Sequence, residues 1–168
     1  NTVVSRFLDY ARPFRADIQP RDINAVIRRA ISVIAANRLA TGIAITEELN
    51  EGLPAVKIDE QQFVQVIINI ALNAIEAMPD GGTLTFLTQK IETDVSAAVE
   101  IVIGDTGMGI GAAGLKNIFK PFYTTKDRGV GLGLAICQKI IKEHGGSIRA
   151  RSQPGQGSVF YIRLNTGG

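Results

Sequence analysis

Two short glycine clusters are the residues of this chain whose types and spacing suggest chemistry. The first is residues 105–110 (DTGMGI), and the second is residues 129–134 (GVGLGL). Closely spaced glycines let backbone N–H groups approach an anion, because no Cβ atom stands in the way. The carboxylate of Asp105, beside the first cluster, can accept a hydrogen bond from the edge of a polar ring. Together the clusters predict a nucleotide site.

A stripe of amide side chains precedes the glycine clusters. Residues 59–78 predict one long helix, and at about 100° per residue its polar side chains fall on one narrow stripe. The stripe consists of Gln62, Gln65, Asn69, Asn73 and Glu76. A polar stripe on a surface helix is the simpler interpretation. However, most of these side chains are amides, and the opposite side of the helix is also apolar, with Ile68 and Leu72. Since an amide oxygen can bind Mg²⁺, the stripe favours a metal with phosphates.

The elements that must position these residues are helices and strands in irregular order. Helical periodicity predicts helices over residues 22–37, 59–78 and 131–143, with Asp22 as a helix N-cap. Alternation and turn residues predict strands over 42–48, 83–89, 99–104 and on both sides of 153–157. Because strands and helices do not alternate regularly, we expect a sheet covered on one face by helices.

Composition limits the classes of protein to which the chain can belong. With 168 residues and 45% hydrophobic content, it can form one globular domain with a sizeable core. Its net charge of +2 gives no reason to expect nucleic acid or an anionic membrane as a partner. The single cysteine, Cys137, lies among apolar residues and predicts a buried thiol in a reducing compartment. No apolar run reaches the roughly 18 to 20 residues of a membrane span. We therefore expect a cytoplasmic piece of a longer protein.

Four motifs carry a family resemblance. Residues 69–74 (NIALNA), 105–109 (DTGMG), 119–122 (FKPF) and 129–133 (GVGLG) resemble, in order and spacing, the N, G1, F and G2 boxes of sensor histidine kinases. The resemblance extends over residues 59–164 and is to the catalytic ATP-binding domain, in the superfamily that also contains DNA gyrase, the heat-shock chaperone ATPase and the mismatch-repair ATPase. It implies the Bergerat fold, a two-layer α/β (α+β) sandwich of a mixed sheet and three helices on one of its faces.

The resemblance also implies a role for each part of the site. Asp105 would accept a hydrogen bond from the adenine amino group, assisted by Ser158, and Asn73 would bind Mg²⁺. Residues 111–128 would form a lid over the nucleotide, with Phe119 and Phe122 as its anchors. The residues expected to contact ATP or ADP are Asn69, Asn73, Ala77, Asp105, Gly107, Gly109, Ile110, Thr124, Thr125, Lys126, Gly129, Gly131, Leu132, Gly133, Leu134 and Ser158.

The identity of Asn69 separates phosphoryl transfer from hydrolysis. The resembling ATPases place a glutamate there to activate water, and an asparagine cannot act as a general base. The catalytic residues predicted from the resemblance are therefore Asn69 and Asn73, in a kinase that transfers the γ-phosphate of ATP to a histidine.

The phosphoacceptor is expected outside this sequence. The only histidine, His144, precedes two glycines and predicts the end of a helix. Residues 1–19 resemble the end of a dimerisation and phosphoacceptor hairpin, so residues 20–168 would be the catalytic domain. The expected partners are that hairpin and the receiver domain of a response regulator. We expect a homodimeric parent protein and a monomeric fragment.

Other functions remain open at this point. A dinucleotide-binding dehydrogenase would use the weak match Gly107-x-Gly109-x-x-Ala112, with Asp127 as the acid for the ribose. That alternative lacks a convincing second strand before Asp127. A Bergerat-fold ATPase, a serine-directed kinase and a non-catalytic nucleotide-binding module are further alternatives.

Overall fold

Seven strands form two sheets in the described part of the chain. The computed structural model describes residues 16–36, 40–92, 97–125 and 129–166. In chain order the strands are β1 (Gln19–Arg21), β2 (Ile43–Leu49), β3 (Val56–Ile58), β4 (Gly82–Glu92), β5 (Ala97–Asp105), β6 (Ser147–Ser152) and β7 (Ser158–Asn165). The main sheet has the order β2-β4-β5-β7-β6. Strand β2 is parallel to β4, whereas the other neighbours are antiparallel. The main sheet is therefore mixed, as predicted.

The pairing of β5 removes the dehydrogenase alternative. A dinucleotide-binding fingerprint needs a parallel strand on the far side of a crossover helix. Strand β5 instead runs antiparallel to both β4 and β7. The helix that follows its glycines, Ala112–Leu115, has only four residues. Asp127 lies outside the described residues.

Three of the four described helices cover one face of the main sheet. The helices are α1 (Ile23–Ala35), α2 (Glu60–Glu76), α3 (Ala112–Leu115) and α4 (Gly133–Glu143). The carboxylates of Asp22 and Asp59 accept hydrogen bonds from backbone N–H groups in the first turns of α1 and α2. The predicted N-cap Asp22 is confirmed, and Asp59 also acts as an N-cap. Within the described ranges, no helix combines the length and hydrophobicity needed to cross a bilayer.

The core lies between the sheet and helices α1, α2 and α4. Alternate residues of β5 and β7 point into it, because successive side chains of a strand face opposite sides of the sheet. The fully buried residues of these elements include Ile27, Phe63, Ile67, Ile70, Ile101, Ile103, Cys137 and Ile162. Burial of each large apolar side chain stabilises the fold by about 1.5–3 kcal/mol. The same alternation places Asp105 and Ser158, at the ends of β5 and β7, on the helix-covered face.

The small sheet was not predicted from the sequence. Strands β1 and β3 have three residues each and pair antiparallel, with Gln19 opposite Ile58. Three residues are too few for a periodic pattern to be recognised. The predicted domain boundary after residue 19 falls inside β1, which pairs with β3. The rest of the predicted hairpin remnant, residues 1–15, lies outside the described part of the chain.

His144 joins the end of α4 to the beginning of α2. Its Nε2 atom accepts the backbone N–H of Asp59 at 3.0 Å, and its Nδ1–H donates to the carbonyl of Ile140 at 2.7 Å. The ring also packs edge-on against Phe63, with 5.0 Å between ring centroids. Both ring nitrogens are therefore engaged, and Gly145 with φ +71° ends the helix as predicted.

Replacement of His144 by alanine should lower the free energy of unfolding by about 2 kcal/mol, because two hydrogen bonds and a ring contact are lost. Urea denaturation measures this change. Lys142→Ala, an exposed position in the same helix, should change stability by less than about 0.5 kcal/mol. Equal stability of the His144→Ala variant and the wild type would contradict a structural role.

Candidate nucleotide site

Asp105 is a buried carboxylate at the end of the central strand β5. It is only 8% exposed. Its Oδ1 atom accepts the backbone N–H groups of Gly107 at 2.8 Å and Ser158 at 3.3 Å. Burial raises the pKa of Asp105 above its ordinary value, and these two donors oppose the rise. Neither hydrogen bond uses Oδ2, so the carboxylate keeps an acceptor for a ligand.

The loop after Asp105 is held from both sides. The N–H of Met108 donates to the carbonyl of Ala77 at the end of α2 (3.0 Å), and the N–H of Gly155 donates to the carbonyl of Met108 (2.7 Å). A Cβ atom on Gly107 would lie 2.5 Å from the carbonyl oxygen of Ala77. Gly109, with φ +71°, packs against the carbonyl of Gln153. The predicted base-side glycines are thus required by close backbone contacts.

The amide stripe of α2 faces helix α4 rather than open solvent. Gln62 is buried, Gln65, Asn69 and Asn73 are half-buried, and only Glu76 at the end of the helix is exposed. The side chain of Asn69 hydrogen-bonds to Cys137 of α4. The thiol of Cys137 in turn donates to the carbonyl of Val66 at 3.7 Å. The interpretation of the stripe as a solvent-facing surface is therefore wrong.

Helices α2 and α4 run antiparallel, which brings the amides toward the second glycine cluster. Phe63 contacts His144 at one end of the pair, and Asn69 contacts Cys137 further along. Asn73 lies one turn beyond Asn69, and Gly133 lies one turn before Cys137. Asn73 is consequently directed toward the N-terminus of α4.

The N-terminus of α4 follows the second glycine cluster without a side-chain cap. Leu132, the N-cap residue, is buried and its side chain cannot accept the first N–H groups of the helix. These N–H groups and the helix dipole favour an anion. Gly131, with φ +71°, accepts the N–H of Phe122 at 2.8 Å, which ties the lid segment to this end of α4.

The lid segment is anchored by a different set of side chains from the predicted one. Phe119 packs edge-on against Phe160, with 6.4 Å between centroids, and Ile118 is buried. The side chain of Phe122 is 60% exposed, so it does not pack into the core as Phe119 does. Its backbone makes the contact instead, in the left-handed conformation at φ +65°. Sequence reasoning missed Ile118, because the apolar pair Ile118 and Phe119 between polar residues is too short to give a periodic signal.

The remaining residues of the lid segment follow Phe122. Thr124 and Thr125 are exposed, and Lys126 and Arg128 lie outside the described residues.

Cys137 should resist alkylation in the folded protein. Burial raises the pKa of this thiol to about 12, so at about pH 8 only about one molecule in ten thousand carries the reactive thiolate. Iodoacetamide should leave the native protein unmodified and should label it fully in urea, as followed by intact mass. Rapid labelling of the native protein would contradict the buried position, and glutathione serves as the reactive control.

Comparisons with known proteins agree with this geometry. Residues 58–167 match the family model described as histidine kinase-, DNA gyrase B-, and HSP90-like ATPase. The chain is 35% identical over 164 residues to the sensor histidine kinase ZraS of Escherichia coli K12, covering 98% of this chain and 34% of that protein. It is 37% identical over 163 residues to sporulation kinase C of Bacillus subtilis 168, covering 96% and 37%. The chain thus spans about a third of the length of these relatives.

Solved structures show the same fold. Full-length ShkA in complex with AMPPNP superposes with a TM-score of 0.84 at 25% identity, covering 99% of this chain and 36% of that one. The nucleotide-free catalytic domain of the histidine kinase ThkA gives 0.77 at 31% identity, covering 89% and 96%. ThkA in complex with the response regulator protein TrrA gives 0.81 at 27% identity, covering 99% and 47%. The chain therefore belongs to the histidine kinase-, DNA gyrase B- and HSP90-like ATPase family and contains the ATP-binding catalytic domain of a histidine kinase.

Proposed function

We propose that this domain binds Mg-ATP between β5, α2 and the N-terminus of α4 and transfers the γ-phosphate to a histidine on a separate helical hairpin. Asp105 accepts the adenine amino group, because a carboxylate acceptor matches an amino group and opposes the carbonyl that guanine carries there. Ala77, Gly107, Gly109 and Ile110 surround the base.

The phosphates lie at the second glycine cluster in this proposal. The N–H groups that follow Gly131 at the start of α4 point toward an anion, as they lack a side-chain cap. Gly129, Leu132 and Leu134 complete this side of the site. Thr124 and Thr125 reach the phosphates from the lid, and Lys126 stays a predicted ligand.

Magnesium fits the amides that face this region. Within the described ranges, no group of three or more histidine, cysteine, aspartate or glutamate residues is arranged to hold a metal ion. The side chain that would bind the ion is instead the amide of Asn73, with Asn69 one helical turn away. Its hard oxygen atom suits Mg²⁺, which would also bind phosphate oxygens. The ion supplies neutralisation of phosphate charge when it is bound.

The hydrogen bond of Asn69 is the observation that favours phosphoryl transfer over ATP hydrolysis. Its amide hydrogen-bonds to Cys137 and has no basic atom with which to take a proton from water. Phosphoryl transfer depends on positioning and charge neutralisation more than on protein acid–base chemistry. The site can therefore support transfer to a nucleophile brought by another domain, while water lacks an activating base at this position.

The acceptor and the relay partner complete the proposal. His144 has both ring nitrogens engaged, so it is not the acceptor. The acceptor histidine belongs to the dimerisation hairpin of a homodimeric parent protein, and the isolated fragment is a monomer in the cytoplasm. A receiver domain of a response regulator then takes the phosphate, which the ThkA–TrrA complex supports by analogy.

A transfer experiment tests this function. The chain is mixed with Mg-ATP labelled on the γ-phosphate, with and without a separately made acceptor hairpin of the parent protein. We expect no label on the chain alone and an acid-labile label on the hairpin. Label on His144 would contradict the assignment, and acid-stable label would indicate serine as the acceptor. Brisk ATP hydrolysis without the hairpin would instead favour an ATPase.

A further inference from the structure

The hydroxyl of Ser152 connects three parts of the base site. It lies at the end of β6, directly opposite Ser158 in the register of β6 with β7. Its Oγ atom accepts the N–H of Ile110 at 2.7 Å and donates to the carbonyl of Gly157 at 2.8 Å. The same atom lies 2.9 Å from Oγ of Ser158. Ser152 therefore joins the first glycine loop, the turn before β7 and the buried serine beside Asp105.

The direction of the proton between the two serines follows from their neighbours. A hydroxyl has one proton to donate and two lone pairs with which to accept. The carbonyl of Gly157 can only accept, so it takes the single proton of Ser152. The Ser158 hydroxyl must then donate its own proton to Ser152. This leaves Ser158 with lone pairs and no proton for any other partner.

A fixed acceptor at Ser158 complements the carboxylate. The N–H of Ser158 bonds to Oδ1 of Asp105, so the two side chains are adjacent on the helix-covered face of the sheet. A pair of acceptors matches a group with two N–H donors, which is the exocyclic amino group of adenine. It has no matching interaction with a purine that lacks that group.

We propose that Ser152 is a positioning residue that sets Ser158 as an acceptor and thereby strengthens selection for a 6-amino purine. Ser152 acts through Ser158 and does not touch the base. Removal of its hydroxyl frees the Ser158 proton to rotate, so Ser158 no longer presents an acceptor in one direction. This inference rests on the proposed function, since it requires the adenine amino group to meet Asp105.

The test compares two nucleotides that differ only in the amino group. Isothermal titration calorimetry gives the affinity of the chain for ATP and for purine riboside 5′-triphosphate. The wild type should prefer ATP. In Ser152→Ala, ATP binding should weaken by about fivefold while binding of the analogue stays within about twofold. Ser152→Thr keeps the hydroxyl and should retain the preference for ATP. The exposed Ser147→Ala, at the other end of β6, should leave both affinities unchanged.

A double-mutant cycle separates positioning from general stability. If Ser152 acts through Ser158, the Ser152→Ala change should have no further effect on the preference for ATP in a Ser158→Ala background. Ser152→Cys, of similar volume with a weakly bonding thiol, should repeat the loss if the alanine variant folds poorly. Equally weakened binding of both nucleotides, or additive effects in the cycle, would overturn the role of Ser152 but not the proposed base site. A wild type that does not prefer ATP would overturn the proposed base site as well.

Discussion

Replacement of Asp105 by asparagine should weaken ATP binding by about 30-fold, the scale expected for loss of a hydrogen bond to a charged group. The reason is the pair of backbone donors, Gly107 N–H at 2.8 Å and Ser158 N–H at 3.3 Å from Oδ1. If the amide oxygen keeps these donors, the amide NH₂ faces the adenine amino group. If the amide is reversed, its NH₂ faces the two backbone N–H groups. Neither orientation satisfies both sides, and calorimetric titration with Mg-ATP measures the loss.

The control for this substitution is Asp80→Asn, in an exposed turn. It makes the same change in charge away from the site and should leave the affinity for ATP within about twofold. A change of less than about threefold in Asp105→Asn would show that this carboxylate does not bind the base.

Acidification should also weaken ATP binding, as the Asp105→Asn substitution does. Because burial raises the pKa of Asp105, this carboxyl gains its proton at a higher pH than an exposed aspartate does. The affinity for ATP should fall as pH is lowered through that range, and Asp105→Asn should lack this component. The folded protein binds this proton more tightly than the unfolded chain, so the contribution of Asp105 to stability changes in the opposite direction and increases on acidification.

Replacement of Gly131 by alanine should lower the free energy of unfolding by about 3 kcal/mol, combining a left-handed backbone with overpacking. Its φ is +71°, and a Cβ atom there would lie 2.6 Å from the carbonyl carbon of Phe122 and 2.7 Å from the carbonyl oxygen of Tyr123. Neither backbone atom can rotate away. Urea denaturation in the absence of nucleotide measures the change without involving the ligand.

Gly133 provides a matched comparison two residues away. It is the first residue of α4, and a Cβ atom there meets nothing within 4 Å. Gly133→Ala should be neutral or stabilising by up to about 1 kcal/mol, because alanine favours the helix. Similar destabilisation at both positions would mean that the two glycines serve the same purpose, contrary to the geometry.

The helices were predictable because their signals are local. Asp22 and Asp59 cap the first turns of α1 and α2 with their own carboxylates, and apolar residues repeat at helical spacing behind them. Strands β4 and β5 were also predicted, but about four and about three residues too short, respectively. The hydrogen-bonded ladder that extends them depends on partners distant in sequence.

For the candidate site, the sequence predicted which residue types take part and in what order they occur along the chain. The carboxylate of Asp105, the amides of α2 and both glycine clusters follow from the four boxes. The contacts of these groups do not follow from them. That Asn69 meets Cys137 depends on how α2 packs against α4, and the exposure of Phe122 depends on where Phe119 and Ile118 enter the core.

By itself the sequence determined the family, the helices and the groups that could bind a base, a metal and phosphates, since these follow from residue types at fixed spacing. The direction in which those groups face depends on the packing of the helices and strands. The tertiary structure placed Ser152 between Ile110, Gly157 and Ser158 and so assigned a role to a serine that no motif had marked. Hydrogen-bond direction and close packing depend on neighbours about 40 residues apart in the chain or six residues apart across a turn. The spacing of residues along the sequence does not show which of them become neighbours.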